Sequence, residues 1–326
     1  MSSSTESLRG NSNFNRIDNK RGKRKRRIII LAIFAIILAI ILYFGFDIFF
    51  RASNLFSKIH EGVNTINLRV EEELPEVVLG ETPFSVLILG IDSDFPGDPG
   101  RSDTIMIATV NPNEGTTYLV SIARDTRTLM VGLDFDDKIN HAYAFGGAEM
   151  SINTVQHFLN IPIDFYATLD MGGFGSLVDA IGGIQVYNDT VAFSLDGHTF
   201  PLGYVDLNGD EALAYARMRL EDPQGDFGRQ QRQRAIIGAM VSEMAGVTGA
   251  TRYQNILNTA EGYMQTDVSL NEMIRISTGY TTALRNITDL QMRGQGQMIN
   301  GIYYEIISED QRLEMSQRLR RHLELE

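Results

Sequence analysis

The 326-residue chain has no cysteine, which excludes disulfide staples, cysteine zinc sites and thiol nucleophiles. That absence leaves the compartment open, because an oxidising environment permits disulfides without requiring them. There is no G-x-x-x-x-G-K-[ST] phosphate loop and no G-x-S-x-G serine elbow, so neither ATP binding nor a serine hydrolase is implied. The five histidines, His60, His141, His157, His198 and His322, show no metal-ligand spacing and read as surface or packing residues. No repeat recurs at a fixed period. Positive charge is concentrated at one end. Residues 1–27 carry nine Lys and Arg against Glu6 and Asp18, a local balance of +7, so with a net charge of -12 the rest of the chain stands at -19. So acidic a body argues against nucleic acid as a partner.

The long uncharged run is IIILAIFAIILAIILYFGF, Ile28 to Phe46. Nineteen residues of helix cover roughly 28 Å, close to the hydrocarbon thickness of a bilayer. Tyr43, Phe46, Phe49 and Phe50 stand near its far end, where an interfacial aromatic belt lies. The basic cluster before it sets the N-terminus in the cytoplasm and the body outside. A cleaved signal peptide has a shorter apolar core, and Phe50-Arg51-Ala52-Ser53-Asn54 is a poor cleavage site, so a retained anchor is the better reading. A nuclear-localisation reading of the basic block fails on its contact with a membrane span. The expected organisation is a basic cytoplasmic tail (1–27), a transmembrane helix (28–46), an extracytoplasmic stalk (47–81) and a catalytic domain (82–326) in a single-pass protein of the cell membrane.

From Phe84 the pattern alternates between strands and helices. Phe84–Ile91 reads as a central strand, followed by Thr104–Val110 and Thr117–Ile122 joined through Asn111-Pro112-Asn113-Glu114-Gly115. Helices are expected over Ala148–Leu159, Gly172–Ile181, from Asn208, over Arg229–Met244 and over Ser269–Thr278. Strands are expected over Phe165–Leu169 and Ile184–Tyr187. Asn208 can cap, and Ser269 with Glu272 and Ser308 with Gln311 form capping boxes. The fold class is α/β: a mixed central sheet with helices on both faces.

Charge interrupts the apolar strand ends. Asp92 follows the first strand, Arg101 and Asp103 precede the second, and Arg124 and Asp125 follow the third. If the strands are neighbours, their loops meet at one sheet edge, where open α/β sheets bind ligands. A second set lies far along the chain: Arg217, Arg219, Asp226, Arg229, Arg232 and Arg234. Arginine suits two-pronged recognition of phosphate oxygens, and carboxylates beside it suit a hard cation that bridges to phosphate. Each has a bland reading. Arg217 and Arg219 cannot share a helix face, Asp125 suits a turn, and Arg232 and Arg234 read as surface charge. Asp92, Asp94, Asp98 and Asp103 fall at positions 1, 3, 7 and 12 of a calcium loop, but they follow a strand and Pro96 takes a ligand position.

At these residues the chain resembles the LytR-CpsA-Psr family of bacterial wall-polymer ligases. The segments are VLILGID (86–92), RSDTIMIATVNP (101–112), LVSIARDT (119–126), KINHAYAFGG (138–147), LVDAIGGIQV (177–186), LNGDEALAYARMR (207–219) and DFGRQQRQR (226–234). The resemblance implies a phosphotransferase that moves an anionic glycopolymer, such as teichoic acid or capsule, from a polyprenyl-pyrophosphate carrier to a peptidoglycan hydroxyl, releasing polyprenyl phosphate. By motif position, Asp92 and Asp103 would hold magnesium, or manganese in its place. Arg101, Arg124, Arg217 and Arg219 would bind the pyrophosphate, with Arg229 and Gln233 completing the head-group site and Asp226 orienting Arg229. Arg124, Asp103 and Arg101 are the expected catalytic set. Where the family often has proline, Ala123 leaves φ free and is expected to loosen the Arg124 loop. The general base is open among Asp92, Asp103 and Asp226. Phe145, Phe158, Phe174 and Leu177 are candidates for a lipid groove, with core packing as their default. The rival readings are a membrane-anchored, polyprenyl-phosphate-binding regulator and a pyrophosphate hydrolase.

Overall fold

The computed structural model describes residues 45–93, 98–219, 222–244 and 247–326. The tail expected over 1–27 and all of the expected span but its last two residues lie outside these, and among the described residues no helix is long and apolar enough to cross a membrane. The chain divides into two compact units at Arg51/Ala52; of the first, residues 45–51 are described and helical.

The larger unit opens with helical residues 52–59 (α1) and the short helix α2 (Leu68–Glu71). Residues of the expected stalk are part of this unit: Leu55 and Ile59 are buried in one apolar cluster, and Val63 and Leu74 pack on another. A buried pair fixes this segment, Arg69 to Asp164 at 2.5 Å, and Asp164 also accepts from the Ser85 backbone N–H at 2.8 Å. The expected strands and helices follow: β1 (Phe84–Asp92), β2 (Arg101–Asn111) and β3 (Thr116–Ile122), then a hairpin, β4 (Arg127–Met130) with β5 (Phe135–Lys138). Next come α3 (His141–Leu159), β6 (Phe165–Asp170), α4 (Met171–Ile181), β7 (Ile184–Asn188), β8 (Phe193–Leu195), β9 (His198–Phe200) and β10 (Gly203–Leu207). The C-terminal part holds α5 (Gly209–Arg217), α6 (Asp226–Met244), α7 (Val247–Ala260), β11 (Met264–Thr266), α8 (Leu270–Gly279) and α9 (Thr281–Arg285). It closes with β12 (Ile287–Gln291), β13 (Gln295–Ile299), β14 (Ile302–Ile306) and α10 (Glu309–His322).

The central sheet has the order β11-β6-β1-β2-β3-β12. It is mixed: β1 runs antiparallel to β2 and parallel to β6, and β3 runs antiparallel to β2 and parallel to β12. Both faces are apolar because both are covered. Leu87, Leu89 and Ile91 of β1 pack with Ile152 and Val155 of α3 and Leu319 of α10, whereas Val86 and Ile88 join Met106, Leu119 and Ile237 of α6. Helices on both faces of a mixed sheet is the expected class. The expected boxes are present at α8 and α10, and the expected Asn208 cap of α5 proves to be a third, closed by Glu211. The helix expected from Ala148 begins earlier, since α3 carries a kink at Gly146 and Gly147, whose φ of +62° glycine tolerates.

His322 closes α10 against the sheet. It is 2% exposed, hydrogen-bonded to Thr109 Oγ1 at 2.8 Å and Thr116 Oγ1 at 2.9 Å, and stacked on Tyr118. Burial lowers its pKa below the ordinary histidine value, against the pull of Glu114 and Glu324. The folded state therefore disfavours the proton that the unfolded chain takes up near about pH 6.5. Stability linked to His322 is full above that pH and declines as pH falls through the window below it. Thermal midpoints across about pH 5–8 should show the wild-type advantage over His322→Gln narrowing on the acid side; a constant gap would exclude this linkage.

Candidate functional site

The register of the sheet decides which charges meet. Asp92, at the C-terminal end of β1, pairs with Arg101 at the start of β2, and both are exposed. Gly90 pairs with Thr104 but Ile91 with Ser102, so Asp103 is the extra residue of a β-bulge. A bulge re-aims one side chain out of the alternation. Because β3 is antiparallel to β2, its C-terminal end reaches the same edge and delivers Arg124 there.

Arg124 and Asp103 form an ion pair, with side chains 24% and 22% exposed. Asp103 also accepts from Asn140 Nδ2 at 3.3 Å, and the Asn140 backbone N–H donates to the Arg124 carbonyl at 3.3 Å. Asn140 precedes α3 but does not cap it with its side chain. The Arg124 turn is closed by Thr126 N–H to the Ala123 carbonyl at 2.9 Å, and Ala123 is buried. A hydrogen-bonded turn thus constrains the segment that carries Arg124, with alanine where the family often has proline. Asp125 holds Lys138 Nζ at 2.7 Å and stands 3.7 Å from Arg124 Nε.

The first turns of α6 bring the second set. Asp226 contacts Arg229 at 2.8 Å and accepts from Gln230 Nε2 at 2.9 Å. Arg229 reaches the Asp103 carbonyl at 3.5 Å, is 8% exposed, and keeps a buried Nε with no hydrogen-bond partner among the described residues. Gln233, four residues on and equally buried, lies on the same helix face. Burial lowers the Arg124 pKa, but Asp103, Asp125 and Asp226 outweigh it and the net shift is upward. For Arg229 burial leads and the nearby Arg124 and Arg219 add to it, so the pKa is lowered against the pull of Asp226 and Asp103. Arg229 therefore feels both Arg124 and Arg219, with Asp103 and Asp226 beside it.

Arg217 and Arg219 do not sit on one helix. Helix α5 ends at Arg217, and Met218 is extended with φ -58° and ψ 131°. In extended backbone alternate residues share a face, so both arginines are exposed while Met218 is buried. Arg232 and Arg234, read from sequence as surface charge, are buried instead. Arg232 is paired with Asp222 at 2.5 Å, and Arg234 donates to Ser121 Oγ at 2.8 Å. Of the lipid-groove candidates, Phe158, Phe174 and Leu177 are core residues and Phe145 is 49% exposed. Among the described residues, no three or more ligating side chains converge as a metal cage.

The LytR_cpsA_psr family model matches residues 48–321. The chain belongs to that family. A relative from Halalkalibacterium halodurans is 42% identical over 303 residues, 93% of this chain and 99% of its own. It is named polyisoprenyl-teichoic acid–peptidoglycan teichoic acid transferase TagU. The crystal structure of Bacillus subtilis TagU is 40% identical, with a TM-score of 0.61 over 74% of this chain and 97% of that one. A structure of TagT bound to LIIa-WTA is 27% identical, with a TM-score of 0.65 over 77% of this chain and 94% of that one. The mixed-sheet α/β fold and the assignment to an enzyme of the transferase class both hold.

Sequence reasoning missed Asn140, Tyr303 and Glu305. Asn140 stood inside KINHAYAFGG without a role, because an asparagine before a helix reads as a cap. Tyr303 and Glu305 reach the site on β14, from a hairpin turned by Asn300-Gly301, whose φ values of +52° and +82° are those of a two-residue hairpin turn. That dipeptide was the available signal.

Proposed function

We propose that the protein transfers an anionic glycopolymer, of teichoic-acid or capsular type, from a polyprenyl-pyrophosphate carrier to a peptidoglycan hydroxyl, forming a phosphodiester and releasing polyprenyl phosphate. The observation that carries this reading is Arg229. Its buried Nε lacks a protein acceptor among the described residues, and burial lowers its pKa, with Arg124 and Arg219 adding to the effect. A pyrophosphate supplies both the missing acceptor and the compensating charge. The names of the relatives support teichoic acid as the kind of polymer.

Phosphoryl transfer needs charge neutralisation and alignment more than covalent help. Arg124 and Arg229 hold the phosphate oxygens, Arg219 extends the site, and Asp103 and Asp226 fix the directions of the part-buried Arg124 and the buried Arg229 guanidinium groups. Arg101, Arg217 and Gln233 are assigned to the same head group. The donor set fits a hard cation: Asp92 and Asp103 offer oxygen ligands on paired strands, with water and phosphate oxygens to complete the shell, as magnesium prefers. Magnesium, or manganese, would neutralise phosphate charge there. Residues 28–46 would keep the enzyme at the membrane that carries its lipid-linked donor.

The test incubates the full-length protein in detergent with a polyprenyl-pyrophosphate glycan and uncrosslinked peptidoglycan. Mass spectrometry should detect a phosphodiester-linked glycan with magnesium, none with EDTA, and recovery on adding manganese. Product formation indifferent to EDTA would remove the metal from the scheme. Polyprenyl phosphate released without linked product would make the enzyme a hydrolase.

A further inference from the structure

We propose that Glu305 is the general base of this transfer, taking the proton of the acceptor hydroxyl in a cavity beside the arginine site. The inference rests on the transfer reading above and deepens it by placing the acceptor.

Glu305 is 6% exposed, and its Oε1 has no hydrogen-bond partner among the described residues. Its Oε2 accepts from the Tyr303 hydroxyl at 3.0 Å. A buried carboxylate oxygen left unpaired is costly unless a donor arrives. The residue lines a cavity of about 360 Å³ with Asp125, Arg219, Asp222, Asp226 and Tyr303, within the size range of small-ligand sites. The strand is tied to the arginine site through its backbone. Glu305 N–H donates to the Asp125 carbonyl at 2.9 Å, and Thr126 bridges to Glu305. The cavity therefore opens beside the turn that carries Arg124.

Pairing assigns the occupant. Of the four carboxylates that line the cavity, Asp125, Asp222 and Asp226 are each paired with a cation, which leaves Glu305 as the acceptor for a neutral hydroxyl. The arginine site next to it takes the anionic donor, and a sugar hydroxyl belongs beside Glu305.

Elimination assigns the base. Asp103 is held by Arg124 and Asn140, and Asp125 by Lys138 and Arg124. Asp222 is held by Arg232, and Asp226 by Arg229 and Gln230. Asp92, the remaining candidate, is exposed at the sheet edge and does not line the cavity. Among the described residues, Glu305 alone of these carboxylates carries an oxygen that is buried, lines the cavity and is not held by a guanidinium or ammonium group. Tyr303 stays a donor to it, since burial and then the hydrogen bond to Glu305 raise the phenol's pKa. In the step, the acceptor O–H proton passes to Glu305 and its oxygen bonds to the sugar-side phosphorus. The bond from that phosphorus to the bridging oxygen breaks, and the electron pair leaves with polyprenyl phosphate. Glu305 then returns the proton to solvent.

The experiment compares full-length wild type, Glu305→Gln and Tyr303→Phe in the magnesium assay across pH, with donor affinity measured separately. Glu305→Gln should keep its thermal midpoint and donor affinity, lose about 10²–10³-fold in kcat, and lose the acid limb of the rate profile. Tyr303→Phe, which removes a hydrogen bond favouring the ionised carboxylate, should move that limb to higher pH. A Gln variant within about threefold of wild type, or one whose loss lies in donor affinity with the profile unchanged, overturns the assignment. If Glu305→Gln lowers the thermal midpoint, Tyr303→Phe decides, and an unmoved acid limb overturns it. Wild type that forms no linked product fails the transfer reading itself, and the base falls with it; linked product made equally well by the Gln variant sinks only the base.

Discussion

Arg124→Ala should abolish transfer, by about 10³-fold or more, while leaving the fold intact. The guanidinium lies at the meeting of three elements: the end of β3, the bulge of β2 at Asp103, and the residue before α3, Asn140. Its charge faces Asp103, Asp125 and Asp226, whose pull outweighs burial and keeps it firmly protonated. In the ground state it is an ion pair about one-quarter exposed, whose loss costs roughly 1 kcal/mol of stability at most. In the transition state it faces charge that develops on phosphate oxygens, where a fixed donor in a partly dry site is worth several times more. The two effects separate cleanly, so the variant should melt within a few degrees of wild type. Arg124→Lys keeps the charge but loses the planar fork, and should recover only a small part of the rate. Calorimetry with the mass-spectrometric assay checks both. An alanine variant retaining a tenth or more of the rate would remove Arg124 from the catalytic set.

Much of the frame was legible because local chemistry and tertiary fold agree. FSVLILGI and TIMIATV lack alternation, as strands buried on both faces must, and the capping boxes at Asn208, Ser269 and Ser308 mark their helix starts. The site was legible as a set of residue types but not as a geometry. Asp103 reaches the site through a bulge that shifts the register by one residue, and periodicity carries no signal for that. Arg217 and Arg219 read as opposed on a helix, and they share a face because α5 stops between them. Two Asx-Gly hairpin turns, at Asp196-Gly197 and Asn300-Gly301, have left-handed φ and join strands too short for periodicity to mark. The second of them hid β14, and with it Glu305. Arg232 differs from its sequence reading for another reason: a charge in a polar run reads as solvated, and only its partner, ten residues back, makes it a core residue.

That partner sets up the largest stability effect. Arg232 is 2% exposed and Asp222 fully buried, at 2.5 Å. The guanidinium donates to the carbonyls of Tyr215, at 3.1 Å, and Met218, and lies over the rings of Phe193 and Tyr215 at 5.4 and 6.0 Å. Asp222 in turn accepts from Gln224 N–H at 2.7 Å and packs over Gly228, where an added Cβ would fall 1.8 Å from its Oδ2. One side chain therefore ties the end of α5, the segment bearing Arg219, and α6 together. Arg232→Ala strands a buried carboxylate and two carbonyls, and should cost about 3–5 kcal/mol. For a unit of this size that lowers the thermal midpoint by about 10 °C. Adding Asp222→Ala removes the stranded charge, so the double variant should be more stable than Arg232→Ala alone. A double variant no better than the sum of its parts would mean that the pair is not coupled. Because the exposed Arg217–Arg219 ribbon hangs on this anchor, donor affinity should fall in Arg232→Ala even below its melting transition, linking a residue that touches no phosphate to the site that binds one.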